Sequence, residues 1–250
     1  MPDLAVSLVD PSFVRKETCS RHSLPRFGCI DLWHLRADHH PYSASLPASI
    51  LSPQEMDRVR RFARQEDRQR YWFRQSALRK ILASYLSVPA PDLRFVVGQY
   101  GKPSLDTAQI SFNTSSSGDE AVLAVASHGA VGVDIQPVRA DIDWRAIAAV
   151  AFHPLEVEWI DAQENQISAF SLIWTRREAL FKAWGKGLHD NMSRTSVVSD
   201  DQLSSKVFDP DGGTWFVATV DGPFAVHVAL ATSFEVVEVR SAIYAAAGVS

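Results

Sequence analysis

The sequence predicts an α+β protein built as two similar lobes, and three observations predict it. Strand, helix, loop and strand patterns in the first half are roughly echoed by a hairpin, helices and a meander in the second. At 250 residues the chain can bury two modest cores. It carries no linker, low-complexity tract or literal repeat, so the halves are expected to pack against each other. The boundary is expected near residues 115–120, which gives an N-terminal α+β lobe over 1–118 and a C-terminal one over 119–250.

Phe27–Leu35 reads as a strand from its aliphatic and aromatic content. Ser52 as N-cap, Pro53 at the first position and Glu55 at the third mark a helix start. A longer helix is expected over Glu66–Leu86, with Leu78, Ile81, Leu82 and Tyr85 as its core stripe, stopping before Pro89 and Pro91. Leu93–Val97 is a short strand candidate that leads into a loop over Gly98–Leu105. Phe112–Glu120 (FNTSSSGDE) is small and polar and reads as a serine-rich turn. Ala121–Ala126 and Val131–Ile135 are expected to pair as a hairpin across Ser127–Ala130. In the second of these strands Gly132, Asp134 and Gln136 share a face, because side chains alternate with a period of two. Helices follow at about Asp143–Val150, Pro154–Ala162 and Ile167–Trp184. Thr214–Val220, Phe224–Ala231 and Glu235–Arg240 read as an antiparallel meander.

The composition, 46% hydrophobic and 22% charged, is that of an ordinary soluble protein. No apolar run approaches the ~18 residues of a membrane span. The start lacks the basic and apolar regions of a signal peptide. Two cysteines, Cys19 and Cys29, are too few for a disulfide framework or zinc site. A cytoplasmic protein without membrane contact is the expectation. The net charge of −4 is unevenly spread, with nine Lys or Arg against Glu66 and Asp67 between Arg58 and Lys80. Such a segment points to an anionic partner: a nucleotide, a nucleic acid or an acidic protein.

Trp174–Leu188 (WTRREALFKAWGKGL) places Trp174, Glu178 and Lys182 one helical turn apart on a common face. Alone, Glu178 and Lys182 read as a surface ion pair worth a few tenths of a kcal/mol. Asp134 alone also suits a strand end closing a turn before Pro137. Together, Asp134 and Glu178 are candidate oxygen ligands for one magnesium ion, with Lys182 beside the same phosphate. Lys102 in the Gly98–Leu105 loop and the hydroxyls of Asn113–Gly118 are candidate donors to a phosphorylated ligand. Asp38–His39–His40 reads as a loop. Gly185–Lys186–Gly187 lacks the upstream glycine of a P-loop and reads as a helix C-cap. Trp174, Phe181 and Trp184 read as packing residues.

GKP at Gly101–Pro103, FNTSSSG at Phe112–Gly118, GVDIQ at Gly132–Gln136 and the Trp174–Leu188 segment, in this order, resemble the 4′-phosphopantetheinyl transferases of the larger, Sfp-like class. The likeness runs from about Leu51 to Leu188. It implies a pseudo-two-fold fold of two α+β lobes with coenzyme A in the cleft between them. It also implies Mg²⁺-dependent transfer of the phosphopantetheine arm of coenzyme A to a serine of an apo acyl or peptidyl carrier protein. Carried onto this chain, Asp134 and Glu178 would bind Mg²⁺. Lys182 would contact phosphate and stabilise the leaving group, and Glu178 would help deprotonate the carrier serine. Lys102 would touch the nucleotide end of coenzyme A, Ser115 its phosphates, and Arg58 the region of the 3′-phosphate. A chain that supplies both lobes is expected to work as a monomer.

Two positions depart from the family pattern. Ser116 stands where the family has a histidine, replacing an imidazole donor with a shorter, uncharged hydroxyl in the coenzyme A site. Gln136 stands where a glutamate is usual, so as a metal ligand it would offer an amide oxygen without charge. Weaker metal or coenzyme affinity is the expected result. Two other readings follow from these features. One is a homologue that binds coenzyme A or carriers without efficient transfer. The other is a nucleic-acid-binding module, motivated by Tyr71, Trp72 and Phe73 among the arginines.

Overall fold

The computed structural model describes residues 23–37, 50–107, 109–185, 192–200, 202–203, 206–222 and 226–244. Asp38–His39–His40 and the Lys186–Gly187 end of the glycine pair lie outside the described residues. Strand β1 (Cys29–Arg36) is followed by helices α1 (Pro53–Arg61) and α2 (Gln65–Leu86). Strands β2 (Phe95–Val97), β3 (Pro103–Leu105), β4 (Ser111–Ser117), β5 (Glu120–Ala126) and β6 (Val131–Pro137) come next. Helices α3 (Trp144–Ala151), α4 (Pro154–Asp161) and α5 (Gln166–Trp184) precede the short strands β7 (Val198–Ser199), β8 (Gln202–Leu203) and β9 (Lys206–Phe208). The described chain ends with β10 (Thr214–Val220), β11 (Val226–Thr232) and β12 (Glu238–Tyr244).

Local chemistry accounts for the helix limits. Ser52 caps α1 in a full capping box, its hydroxyl accepting from the Glu55 N–H at 3.3 Å and its own N–H donating to the Glu55 carboxylate at 2.7 Å. Ser87, in the left-handed region at φ 56°, stops α2 two residues before Pro89. The stripe Leu78, Ile81, Leu82 and Tyr85 is buried, as the periodicity predicts.

Two four-stranded sheets form the centre, in the orders β12–β1–β5–β4 and β6–β11–β10–β9. They pack face to face through Ile30, Leu32, Val122, Ala124, Val131, Val133, Val228 and Leu230. On its outer face the first sheet packs Trp33, Leu35, Leu123 and Val125 against α2. On its outer face the second sheet packs Val217, Ala229 and Ala231 against α5. The result is a helix–sheet–sheet–helix layering with two α+β halves, the architecture the sequence predicts.

Three local expectations change. The Ala121–Ala126 and Val131–Ile135 strands do not form a hairpin. β5 pairs with β1 and β4, whereas β6 pairs with β11 in the other sheet. The cause is visible in β5 itself, whose EAVLAVA run is buried on both faces and needs a neighbour on each edge. The polar FNTSSSG segment is an edge strand, β4, rather than a turn, in register with β5 from Ser111↔Ala126 to Ser117↔Glu120. The tail is only partly a meander. β10 and β11 are antiparallel, but β12 crosses to the first sheet and pairs parallel with β1. Arg240 fixes β12 there, its Nε donating to Asp31 at 2.6 Å, while the Tyr85 hydroxyl donates to the other oxygen of the same carboxylate at 2.6 Å.

One glycine sets how the second half packs. A Cβ on Gly132 of β6 would lie 2.1 Å from the Ala179 carbonyl oxygen and 2.4 Å from the Ala183 nitrogen. Only a residue without a side chain lets α5 lie this close on β6. That contact brings Asp134, two residues along β6, under the face of α5 that carries Glu178 and Lys182.

Candidate active site

The site lies where the β4 edge of the first sheet meets the β6 edge of the second. Asn113 on β4 joins the two edges, its Oδ1 accepting from the Val133 N–H of β6 at 2.9 Å. Asp134 is buried, at 3% side-chain exposure, yet fully engaged. Its Oδ1 accepts from the Ser115 hydroxyl at 2.6 Å and from Lys182 Nζ at 2.6 Å. Lys182 Nζ also donates to Ser115 Oγ at 2.8 Å. Gln136 Nε2 donates to the other oxygen, Oδ2, at 3.1 Å. Three elements, β4, β6 and α5, thus converge on one carboxylate. Charge-assisted bonds of this kind are the strong ones.

Glu178 sits one turn before Lys182 on α5 and is half-buried. Burial pushes its carboxyl group above the ordinary glutamate value, and the nearby Asp134 charge pushes it further. Lys182 and Arg177 pull in the opposite direction without cancelling the rise. The surface Glu178–Lys182 pair that the helix alone suggests is not what forms, because Lys182 turns its ion pair to Asp134.

Lys102 anchors the loop before β3. Its ammonium donates to the Val131 carbonyl at 2.9 Å and to the Ala183 carbonyl, in the last turn of α5, at 3.2 Å. Burial lowers its pKa to about 8. Gly185, in the left-handed region at φ 67°, caps that helix as expected.

Two clefts open on this centre. The larger, about 650 Å³, is walled by Leu35, Tyr71, Leu78 and Leu123 and lined by Arg58, Arg70, Arg74, Ser115, Ser116 and Lys182. The smaller, about 260 Å³, lies between the Tyr100–Pro103 loop and α5, with Glu178 and Lys182 in its wall. Lys182 and Thr114 line both. A ligand with two anionic centres would meet several cations in the larger cleft, among them Arg58, Arg74 and Lys182.

The structure brings Asp134, Gln136, Ser115, Glu178 and Lys182 together, with Lys102 alongside and Arg58 and Ser116 on the larger cleft. Arg74 was not singled out from sequence. Its Nη1 donates to Ser116 Oγ at 3.0 Å and its Nη2 to the Gly118 carbonyl oxygen. The i,i+4 spacing of Arg70 and Arg74 is the signal that places both on the cleft side of α2. Arg70 is already paired, to Asp119 at 2.6 Å and to Asp67 at 3.3 Å. Arg79 is buried and structural, held by Glu55 at 2.8 Å and by the Ala90 and Leu93 carbonyls. Arg177, beside Glu178 in sequence, points away from the site into a buried pair with Glu156 at 2.6 Å. Trp174 packs on Phe152 and Phe170, and Phe181 packs on Trp184, as expected of core aromatics. Trp72 and Phe73 are buried as well, so neither offers its face to a stacked base.

Both halves of the chain match known families. Residues 38–128 match the family described as 4′-phosphopantetheinyl transferase, N-terminal, and residues 130–231 match the 4′-phosphopantetheinyl transferase superfamily. The 4′-phosphopantetheinyl transferase Gsp of Aneurinibacillus migulanus is 34% identical over 57% of this chain and 59% of its own. HetI of a Nostoc species, with the same family name, is 32% identical over 64% of this chain and 70% of its own. Sfp of Bacillus subtilis is 28% identical over 64% of this chain and 73% of its own. With both halves matched in order, and with a relative of more than 30% identity aligned across more than two thirds of its length, the chain belongs to the 4′-phosphopantetheinyl transferase superfamily, alongside its Sfp-like members.

Proposed function

We propose that the protein transfers the 4′-phosphopantetheine arm of coenzyme A to a serine hydroxyl of an apo acyl or peptidyl carrier protein, releasing adenosine 3′,5′-bisphosphate. The observation that carries this reading is the convergence of Ser115, Asp134 and Lys182 between the two sheets, with Glu178 beside them. Membership in the superfamily supports the reaction class.

Among the described residues no group of three or more His, Cys, Asp or Glu side chains forms a metal cluster, so in this reading a magnesium ion would rest on two carboxylates. Burial and then the nearby Asp134 charge raise the pKa of Glu178, while the Lys182 ammonium pairs with Asp134. Mg²⁺ takes one or two carboxylates and completes its shell with water and phosphate. Asp134 and Glu178 would hold the ion, and when bound it would supply neutralisation of the diphosphate oxygens. In this reading Gln136 orients Asp134 from behind through its Oδ2.

The remaining chemistry falls to the chain. Lys182 lines both clefts and donates to an oxygen of the diphosphate. Glu178, one turn from Lys182 on α5, takes the proton of the carrier serine. The serine oxygen bonds to the β-phosphorus as the bond from that phosphorus to the bridging oxygen breaks. The bridging oxygen leaves on the bisphosphate, stabilised by the Lys182 ammonium. Arg58 and Arg74, which line the larger cleft, face a second phosphate. There Arg74, steadied by Ser116, supplies the cationic donor that Ser116 itself lacks.

The test is intact-mass spectrometry of apo carrier proteins incubated with the protein, coenzyme A and Mg²⁺. A gain equal to the arm on at least one carrier is expected. No gain on a panel that a control enzyme modifies would refute transfer, and coenzyme A binding without gain would identify a homologue that binds but does not react.

A further inference from the structure

We propose that Lys102 is a positioning residue, whose ammonium staples the start of β6 to the last turn of α5 and so holds Asp134 in place against Lys182. The proposal rests on the transfer reading and gives Lys102 a different part in it from the nucleotide contact that the family resemblance implies. The loop that carries the lysine is closed by its own backbone. The Gly98 N–H donates to the Lys102 carbonyl at 2.9 Å, and the Gly101 N–H donates to the Gly98 carbonyl at 3.0 Å. Gly101 makes this turn possible from the left-handed region, at φ 83°. Pro103 then opens β3, which pairs with β2 from Val97↔Pro103 to Phe95↔Leu105. From this hairpin of the first half the side chain crosses to the second. There Nζ donates to the Val131 carbonyl at 2.9 Å and to the Ala183 carbonyl at 3.2 Å.

Both carbonyls come from places where backbone groups need outside partners. β6 ends its sheet, with β11 as its strand neighbour. An end strand presents a row of N–H and C=O groups along its outer side, and alternate residues turn theirs the same way. Lys102 on the Val131 C=O and Asn113 on the Val133 N–H therefore stand in for a neighbouring strand just before Asp134. Ala183 lies in the last turn of α5, where the carbonyls run out of partners within the helix and carry the negative end of its dipole. An ammonium suits both groups. Gly132, between Val131 and Val133, is the point at which α5 touches β6 through Ala179 and Ala183. The staple thus closes where the close contact already lies. Lys182, the residue before Ala183, is the one that reaches Oδ1 of Asp134. Lys102 lines the smaller cleft, yet its ammonium is engaged by the chain's own backbone on both sides of that contact.

The experiment compares the full-length protein with Lys102→Met and the milder Lys102→Gln, by transfer kinetics, calorimetry of coenzyme A binding and amide hydrogen exchange. The methionine variant is expected to lose about tenfold or more in kcat, because small displacements of reacting groups are that costly. The KM and Kd for coenzyme A should stay unchanged. Exchange over residues 131–133 and 181–185 should quicken by about tenfold, while that of α2 stays as in the wild type. Coenzyme A binding weakened by about tenfold, with kcat and exchange unchanged, would make Lys102 a coenzyme ligand and overturn the proposal. Quickened exchange with unchanged kcat overturns it too, leaving the lysine a stability contact alone. Should the methionine variant fail to fold, the glutamine variant is read by the same contrasts. If the wild type modifies no carrier, the transfer reading alone fails, and quickened exchange beside unaltered coenzyme A binding still supports the staple.

Discussion

Lys182 Nζ and Ser115 Oγ lie 2.8 Å apart, although one side chain comes from the helix over the second sheet and the other from the edge strand of the first. Both also bond Oδ1 of Asp134. Ser115→Ala removes the first half's share of this contact and leaves Asp134 with Lys182 and Gln136 as donors. A loss of about 1 kcal/mol in stability is expected, the usual worth of one such hydrogen bond. Transfer should fall by about tenfold or more, because the lysine ammonium loses the neighbour that fixes it. Denaturant unfolding beside carrier modification separates the two effects. Wild-type turnover in the variant would show that Ser115 is only a structural link.

Glu178→Gln should trade activity for stability. The folded state raises the carboxyl pKa above its ordinary value of 4.5, so folding favours the protonated form. Below that ordinary value both states are protonated and nothing is lost. As pH rises through the folded pKa the carboxylate charges inside the site, and wild-type stability falls relative to the glutamine variant. In chelator at pH 7–8 the variant should therefore melt above the wild type, with the gap closing below about pH 4.5. Added Mg²⁺ should raise the melting temperature of the wild type and leave the variant unmoved. Transfer by the variant should drop by about a hundredfold or more. A variant no more stable than the wild type in chelator would remove the buried-carboxylate argument.

The site was legible to the extent that its chemistry follows local periodicity. The strand alternation that put Gly132, Asp134 and Gln136 on one face, and the four-residue step from Glu178 to Lys182, both describe the structure. What the spacing does not encode is which partner a charged side chain chooses. Lys182 reads as a partner for Glu178, yet the close approach of α5 to β6 delivers it to Asp134. Sheet assignment was equally opaque. Nothing between residues 127 and 130 announces that β5 belongs to one sheet and β6 to the other, because the decision lies in strands 84 to 101 residues away in sequence. The serines of β4 read as a turn for a similar reason. An edge strand bordering a polar site needs few apolar residues, and its strand character comes from pairing with β5.

Gly132→Ala tests the spacing that makes the site possible. The added methyl carbon would stand 2.1 Å from the Ala179 carbonyl oxygen, so helix or strand must move. Overpacking of this kind costs about 1–3 kcal/mol. The shift should also separate Glu178 and Lys182 from Asp134, so activity should fall further than the folded fraction does. Chemical denaturation gives the stability change, and a transfer assay at a temperature where the variant is fully folded gives the second. Full activity per folded molecule would mean that the site tolerates displacement of α5.

Gln136→Glu asks whether the amide at this position limits metal affinity. Gln136 now donates to Oδ2 of Asp134, and a glutamate there would instead face that oxygen with a like charge. In chelator the variant should be less stable than the wild type, because three carboxylates then share one lysine. With a divalent ion present the order should reverse, since each added charge strengthens oxygen-ligand sites for hard cations. Titration with Mn²⁺, followed by its paramagnetic resonance signal, should show affinity tightened by about tenfold. Equal affinity and equal metal-free stability in the two proteins would place residue 136 outside the metal's reach and leave it the single role of orienting Asp134.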